Sequence, residues 1–433
     1  MKRAAFVISI SLLAASSAHA SWTMQQCNGD QNTTYVTVGA GSTSVAAAMG
    51  YIQTGSTTEI LYSHTADGDA WVEGGFTLYG SAVGFADVSM GYMGGLLGKV
   101  WLTIDGGASW AEIPEALVGG GTMADYEAVA DVAVSDDGTV VWIIGATGRC
   151  SHSEDGGTTW TKIDVALPAG EGLAVAAGAI RGETIWLVGG LPMAAPTDDG
   201  TGNTTPGNPA SDGFALRSDD GGASFSEIAS GLEYELSDVS FVNPDEGWAA
   251  ASKYTEGGAA IGVTADGGET WEFVQPADLP DEEVVGLAMG ASKVLAGCGG
   301  VRFFGRLVGV AYCTTATFEF DGSTALYLTE DGGETWAIQA GLKAAFPNQM
   351  VAASAIADMA APDCTRAWLV GEGKTIARWD NDDASLDCEA GGAPSDDPPP
   401  DDGDDGPGSG GACGCAAAGG TEAVTTSLLF LLF

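Results

Sequence analysis

The octapeptide Thr103-Ile-Asp105-Gly-Gly107-Ala-Ser109-Trp110 decides the fold, because close copies of it recur along the chain. The shared form is Ser or Thr, any residue, Asp-Gly-Gly, any residue, Ser or Thr, and then Trp or Phe. The other copies are residues 153–160, 218–225, 264–271 and 329–336, and a copy shortened by one residue lies at 65–71. Repeats separated by roughly 40 to 65 residues indicate a propeller, a solenoid or an array.

The octapeptide has a mechanical interpretation. Its Asp side chain can accept backbone N–H groups within its own turn, and its glycines can adopt positive φ without steric cost. The aromatic residue then enters a strand and offers a large apolar surface to a neighbouring unit. We therefore predict a structural role, without chemistry, for Asp105, Gly107, Trp110, Asp155, Gly157, Trp160, Asp220, Gly222, Phe225, Asp266, Gly268, Trp271, Asp331, Gly333 and Trp336.

The octapeptide resembles the Asp-box, or bacterial neuraminidase (BNR), repeat, which lies between the third and fourth strands of β-propeller blades. Residues 85–95 and 239–250 sharpen the resemblance, since an apolar strand, a short polar turn and a Gly-aromatic pair precede two of the copies. Over most of residues 22–380 this order resembles the photosystem II stability/assembly factor family. The resemblance implies propeller blades and, in that family, assembly of a membrane complex. The photosystem partner itself does not carry over, because the tail points to a different type of cell.

The pattern predicts an all-β fold, a single β-propeller with seven four-stranded blades. No long stretch shows the helical period of 3.6. Residues 21–26 look like the strand that follows an octapeptide, whereas residues 351–380 look like three strands without one. We expect the N-terminal strand to complete the last blade and close the ring, which removes exposed sheet edges. The predicted blades are 33–75, 76–114, 127–164, 172–229, 235–275, 284–340, and 351–380 with 21–26; six or eight blades are the alternatives.

Two blades carry predicted insertions between their second and third strands. Residues 192–213 are rich in Pro, Asp, Thr, Asn and Gly, which is typical of a loop. Residues 301–323 are more apolar and include Arg302, Phe303, Phe304, Arg306 and Tyr312. In a propeller such loops lie on the face opposite the octapeptide turns, and loops on a rigid scaffold commonly carry binding. We therefore predict the ligand on this face, with ordinary loop variation as the alternative.

The charge balance is strongly acidic, with 58 acidic residues against 15 Lys and Arg and a formal net charge of −43. Residues 21–388 keep a net charge of about −37. Such a surface repels nucleic acid, which needs basic grooves, and it repels anionic lipid as well. A solvated acidic surface suited to secretion is one explanation, and binding of a cation or a basic partner is the other.

Residues 1–20 have the features of a secretory signal peptide. Lys2-Arg3 is followed by the apolar residues 4–15, and Ala18-His19-Ala20 fits the small-x-small cleavage rule. We predict export through the secretory pathway, with cleavage after Ala20. The stretch is too short to be a good spanning helix.

The C-terminal part is predicted to be a tail. Residues 389–412 form an acidic Pro/Gly-rich spacer that we expect to be disordered. Residues 413–433, with Cys413-Gly-Cys415 and a short apolar end, resemble the sorting tails of myxobacterial surface proteins. The resemblance implies processing near Cys413 or Cys415 and display at the cell surface, although the arginine cluster that normally ends such tails is absent. A flexible tail on a secreted protein is the alternative.

Six cysteines lie in the predicted propeller: Cys27, Cys150, Cys298, Cys313, Cys364 and Cys388. An even count in an exported chain favours disulfides. Cys298 and Cys313 are equidistant from a turn expected at Gly305-Arg306 and would face each other across a hairpin, so they form the preferred pair. Cys364 with Cys388 is the second pair, and Cys27 with Cys388 competes with it. Only His64 and His152 could join a metal site, so we expect no zinc and no cofactor.

The best enzyme hypothesis is a sialidase-like glycosidase, which needs three converging arginines and a Tyr/Glu nucleophile pair. Arg149, Arg217 and Arg378 fall on or beside predicted third strands, away from the axis, and Arg302 and Arg306 fall in an insertion. The Arg-Ile-Pro-type motif of sialidases, Gly-x-Ser-x-Gly and His-Glu-x-x-His are absent. We therefore predict a monomeric, non-enzymatic binding or assembly scaffold at the cell surface, with a protein or glycan partner. A glycoside hydrolase is the first alternative and a purely structural surface protein the second.

Overall fold

The computed structural model describes residues 20–26, 33–54, 57–74, 79–122, 125–170, 172–191, 197–198, 204–205, 211–253, 258–279, 295–315, 324–339, 356–383 and 386–388. In this part of the chain the secondary structure is β-strand throughout, apart from one short 3-10 helix at Pro114–Ala116. The first strand, β1, is Ala20–Gln26. No helix within these ranges is long and apolar enough to cross a membrane.

Four-stranded antiparallel units follow β1 along the chain. Unit one contains β2 (Thr33–Ala40), β3 (Ala46–Thr54), β4 (Thr57–Thr65) and β5 (Val72–Glu73). Unit two contains β6 (Gly80–Phe85), β7 (Gly91–Gly95), β8 (Val100–Thr103) and β9 (Ala111–Glu112). Unit three contains β10 (Val129–Val134), β11 (Val141–Gly145), β12 (Arg149–Ser153) and β13 (Thr161–Asp164).

The later units repeat this order. Unit four contains β14 (Ala174–Arg181), β15 (Thr184–Leu191), the separate hairpin β16 (Thr197–Asp198) and β17 (Thr204–Thr205), then β18 (Ser211–Ser218) and β19 (Ser226–Leu232). Unit five contains β20 (Glu235–Phe241), β21 (Gly247–Ser252), β22 (Ala259–Thr264) and β23 (Glu272–Val274). Unit six contains β24 (Leu295–Phe303), β25 (Gly309–Thr315), β26 (Thr324–Thr329) and β27 (Ala337–Ile338).

The last unit combines the two ends of the described chain. It contains β28 (Ile356–Asp363), β29 (Arg366–Gly371) and β30 (Thr375–Asn381), and β1 pairs with β30 as the fourth strand. The first strands of consecutive units contact one another in chain order, and β28 also contacts β2. The core is accordingly divided into clusters that lie between consecutive units, including one between unit seven and unit one that contains Tyr35 and Trp368.

Every first strand carries a β-bulge at the same place in its pairing with the second strand. In unit three, for example, Val129 pairs with Gly145 and Asp131 pairs with Ile144, so that Ala130 is the extra residue. A bulge bends a strand and re-aims the side chains beside it. The residue after the bulge is therefore placed equivalently in each unit.

The strand connections lie at two opposite ends of the sheets, which we name the turn face and the loop face. The turn face holds the connections between first and second strands and between third and fourth strands, and the loop face holds the other connections. Backbone hydrogen bonds join the two kinds of turn within a unit: Gly106 N to Ser89 O, Gly156 N to Thr139 O, Gly221 N to Glu183 O, Gly267 N to Asp245 O and Gly332 N to Leu307 O.

One predicted insertion is wrong. Residues 301–323 do not form a second-to-third connection, because β24 continues to Phe303 and β25 begins at Gly309. Arg302, Phe303 and Tyr312 lie in these strands, and Phe304 and Arg306 lie in the intervening turn on the turn face. The Gly-rich sequence of β24 does not look like a strand, so the first strand of unit six is not recognisable from the sequence. The prediction therefore assigns the turn after Phe303 to the connection between the second and third strands, whereas it joins the first and second strands.

The other predicted insertion is located correctly but ends earlier than expected, because β18 already begins at Ser211. Most of residues 192–210, and the connection at 316–323, lie outside the described residues. The predicted unit boundaries otherwise agree with the strands to within a few residues, apart from the start of unit six, which the structure describes from Leu295.

Candidate functional site

The octapeptide turns share one hydrogen-bond pattern. In unit two, Thr103 Oγ1 donates to Asp105 Oδ1 (2.8 Å) and accepts from Gly107 N (2.9 Å). Ser109 donates to Asp105 through its backbone N (2.8 Å) and through its Oγ (2.6 Å). The same contacts are made around Asp155, Asp220, Asp266 and Asp331. Each Asp therefore holds its own turn closed.

Hydrogen bonding also sets the acidity of these carboxyl groups. Donation from the Ser109 hydroxyl, with help from its backbone N, holds the pKa of Asp105 below its usual value, against the opposing effect of burial. Donation from Thr159 lowers the pKa of Asp155 in the same way, and Asp220 and Asp266 behave alike. A carboxyl group that stays ionised and fully occupied by its own turn is poorly suited to proton transfer.

The aromatic residue of each octapeptide packs at the boundary between units. Trp160 lies edge-on to Tyr92 of unit two, with ring centroids 6.0 Å apart. Phe225 lies edge-on to Trp142 of unit three at 5.7 Å. Trp186 and Trp248, which occupy the position of Trp142 in later units, donate Nε1–H to Gly267 O and Gly332 O of the following turn. The turns are thus fastened to the preceding unit.

Three buried carboxylates that the sequence analysis did not single out follow the bulges of first strands. Asp131, Asp238 and Asp358 each accept one bond from the next backbone N and another from the first strand of the following unit. The second donors are Gly178 N for Asp131, Val301 N for Asp238 and Val38 N for Asp358, each at 2.9 Å. The only sequence signal for these residues is a single Asp within an apolar strand. This signal is ambiguous, because Phe85-Ala-Asp87-Val-Ser shows the same pattern and its Asp lies in a turn.

Two arginines meet near the first strands. Arg302 is buried, and Arg181 forms an ion pair with Asp136 (3.4 Å). Burial, together with nearby Arg181, lowers the pKa of Arg302 to about 9, against the opposing effects of Asp136 and Asp238. Burial raises the pKa of Asp238 well above its usual value. Because Asp136 and Asp238 accompany the two arginines, the chemistry of this cluster suits cross-linking of strands better than capture of an anion.

The third-strand arginines lie apart from this cluster. Arg149, Arg217 and Arg378 belong to units three, four and seven, on β12, β18 and β30. Their ion-pair partners are Asp125 (2.6 Å), Asp219 (2.7 Å) and Asp380 (2.7 Å) respectively. The structure therefore does not bring these three arginines together around one carboxylate position.

A groove of about 370 Å³ opens on the turn face between units five and six. Trp248 and Val263 supply apolar surface, and Glu246, Arg306 and Asp331 supply charge. An ion pair between Arg306 and Glu246 crosses from one unit to the other. In the described residues no group of three His, Cys, Asp or Glu side chains could hold a metal ion.

The structure contains both preferred cysteine pairs. Cys298 and Cys313 face each other in β24 and β25 and form a disulfide, and Cys364 forms a second one with Cys388. Cys150 is free and buried, and burial raises its pKa to about 12. Cys27, Cys413 and Cys415 lie outside the described residues.

Comparison with known proteins identifies related propellers. No protein-family model matches the chain. The photosystem II assembly lipoprotein Ycf48 of Synechococcus sp. (strain CC9902) is 32% identical over 111 residues, which are 25% of this chain and 32% of that protein. The chain thus matches about a third of the length of this relative.

Two solved structures share the fold. YCF48 bound to D1 peptide gives a TM-score of 0.52 at 14% identity, covering 84% of this chain and 97% of that one. YCF48 from Cyanidioschyzon merolae gives a TM-score of 0.50 at 13% identity, covering 83% and 98%. These likenesses confirm the prediction of an all-β β-propeller fold.

Proposed function

We propose that this protein is an exported, non-enzymatic β-propeller that binds a protein partner and acts as a scaffold at the cell surface. The observation that carries the proposal is the joint likeness, in sequence and in fold, to Ycf48, which is named an assembly lipoprotein in one relative and is bound to a peptide in one solved structure. The signal peptide and the sorting-like tail of the sequence support the location.

The proposed propeller has seven blades and is closed by β1. The pairing of β1 with β30 and the contact of β28 with β2 support this arrangement. Asp358 adds a bond from the last first strand to Val38 N of unit one. A ring of this kind presents rigid surfaces at both faces, which suits recognition of a partner better than induced closure over a small substrate.

The scaffold function is tested with the full-length protein, carrying an internal affinity tag, in cells that produce it. We expect protease to reach the tag in intact cells, and we expect chemical cross-linking to capture a partner at a fixed stoichiometry that saturates. A variant that lacks residues 413–433 should be exported but released into the medium.

Two other outcomes decide against the proposal. Hydrolysis of glycosides by the purified protein, with loss of activity in a single-residue variant, would favour the glycosidase alternative. Surface display without any saturable protein partner would favour a purely structural role.

A further inference from the structure

The connection between β7 and β8 is an unusual turn on the loop face. Leu97 and Gly98 both have left-handed backbone conformations, with φ of 63° and 67°, as a type I′ hairpin turn requires. Asn-Gly is the favoured pair in such turns, and a bulky residue at positive φ is a genuine outlier. The corresponding turn of the last unit uses Gly373 and Lys374. Leu97 therefore has a backbone conformation that is energetically unfavourable for a leucine.

The exposure of the neighbouring Leu96 is also not explained by folding alone. Its side chain is 40% exposed, although it follows a strand whose other residues are all buried. Its backbone N donates to Tyr79 O (3.1 Å), and it forms an isolated bridge with Ala128 of unit three. Leu96 thus sits at the boundary of units two and three, beside the start of both first strands.

Tyrosines from three successive units lie near this turn. The rings of Tyr51 and Tyr79 lie 5.9 Å apart, and Tyr126 precedes Ala128 by two residues. Tyr126 is 36% exposed, and Tyr51 and Tyr79 are half-buried. Burial raises the pKa of Tyr79, with further contributions from nearby Tyr51 and Tyr126. Tyrosine is enriched at protein interfaces because a large apolar ring carries a polar end.

The cations at the rim of this patch are already paired within the chain. Lys99 contacts Glu112 (3.0 Å), and Arg149 contacts Asp125 (2.6 Å) and Glu127 (3.3 Å). Glu127 is fully buried, so at the surface Glu112 and Asp125 balance Lys99 and Arg149. The excess of negative charge comes from the predicted mature body as a whole, whose net charge is about −37. Electrostatic complementarity therefore favours a partner with positive charge.

The described chain ends on the opposite side. Cys388 is bonded to Cys364, which lies in the turn between β28 and β29 on the turn face. The remaining 45 residues therefore start from the turn face. A protein that is held to the cell by this tail presents its loop face away from the attachment point.

We propose that Tyr51, Tyr79, Leu96, Leu97 and Tyr126, which we name the tyrosine–leucine patch, form the surface that docks a partner protein through an apolar segment flanked by Lys or Arg. This inference rests on the proposed scaffold function and specifies its contact surface. The tyrosines and leucines bury the apolar side chains of the segment, and the net negative charge of the body attracts its cations.

The test uses a photoreactive phenylalanine analogue in place of Tyr126 in the full-length protein, produced in its native cells. We expect irradiation to give a cross-linked peptide from another protein, with apolar residues flanked by Lys or Arg. The Leu96→Ser/Leu97→Asn background should reduce the cross-link at least tenfold while the melting temperature stays equal or rises, because Asn suits the left-handed position. A merely structural role for the leucines predicts a lower melting temperature instead.

Ile104 provides the matched control, because its side chain is 73% exposed on the turn face. The Ile104→Ser background should leave the cross-link from position 126 unchanged. A cross-link to residues 427–433 of this chain, or to a second copy, would overturn the choice of occupant. Full cross-linking in the Leu96→Ser/Leu97→Asn background would overturn the surface while the scaffold function stands. The absence of any saturable partner of the wild-type protein would overturn both.

Discussion

The indole Nε1 of Trp186 donates to the carbonyl oxygen of Gly267 at 2.8 Å, and this bond fastens the octapeptide turn of unit five to the second strand of unit four. Trp248 and Gly332 repeat the relationship one unit later, also at 2.8 Å. Val310 occupies the equivalent position in unit six, and the unit that follows it has no octapeptide. In units four and five, an aromatic residue is thus placed where the following unit has a turn to fasten.

Truncation of Trp186 should be among the most damaging single changes. Because Trp186 is fully buried, Trp186→Ala should lower the free energy of unfolding by about 3–5 kcal/mol. Trp186→Phe keeps the ring contact with Phe241 and loses the hydrogen bond, so it should cost about 1 kcal/mol for the bond, with a small further loss of packing. Trp271→Ala should cost less than Trp186→Ala, since Trp271 is only half-buried. Urea unfolding followed by tryptophan fluorescence measures the order, and equal losses would contradict it.

The carboxylates between first strands make a second prediction. Asp358→Asn should leave Val38 N or Met359 N facing an amide donor, and an unsatisfied buried donor costs about 1–3 kcal/mol. Asp131→Asn should have a similar cost at the boundary of units three and four. Asp87→Asn is the matched control, because Asp87 is exposed and accepts bonds only within its own turn. Thermal unfolding of the three variants checks the prediction, and a neutral Asp358→Asn would contradict it.

The repeat and the strand order could be predicted from the sequence because they depend on local chemistry. Asp105, its glycines and Trp110 form a self-contained turn, so eight residues suffice to specify it. Asp131 and Arg302 could not be interpreted in the same way, because their partners come from other units at long separation. Arg302 shows the consequence, since a charged residue beside glycines indicates a loop and the structure buries it in β24. The tyrosine–leucine patch likewise depends on how three units meet.

The turn carboxylates predict acid sensitivity. Hydrogen bonds hold the pKa values of Asp105, Asp155, Asp220 and Asp266 below the ordinary value of 3.8. Their contribution to stability is therefore fully present above about pH 4 and is lost as pH falls through the lower folded-state values. Asp238 has the opposite effect on stability. Its pKa is raised in the folded protein, so the free energy of unfolding falls as pH rises and this group ionises. We expect the melting temperature to fall steeply below pH 4, and Asp266→Asn should make that fall shallower. An unchanged slope in Asp266→Asn would contradict the assignment.

The disulfide between Cys298 and Cys313 should stabilise unit six. It closes a separation of 15 residues, for which the loop-entropy account gives about 3 kcal/mol. Both side chains are fully buried within one core cluster, so a Cys298→Ala/Cys313→Ala variant should lose this amount together with some packing. Cys150→Ala is the control, because Cys150 is buried without a disulfide and should lose packing alone.

Urea unfolding with and without reductant separates the contribution of the disulfide from that of packing. The double variant should respond less to reductant than the wild type, because the bond between Cys364 and Cys388 is then the one disulfide left among the cysteines that the structure describes. An equal response would show that Cys298 and Cys313 are not bonded in solution.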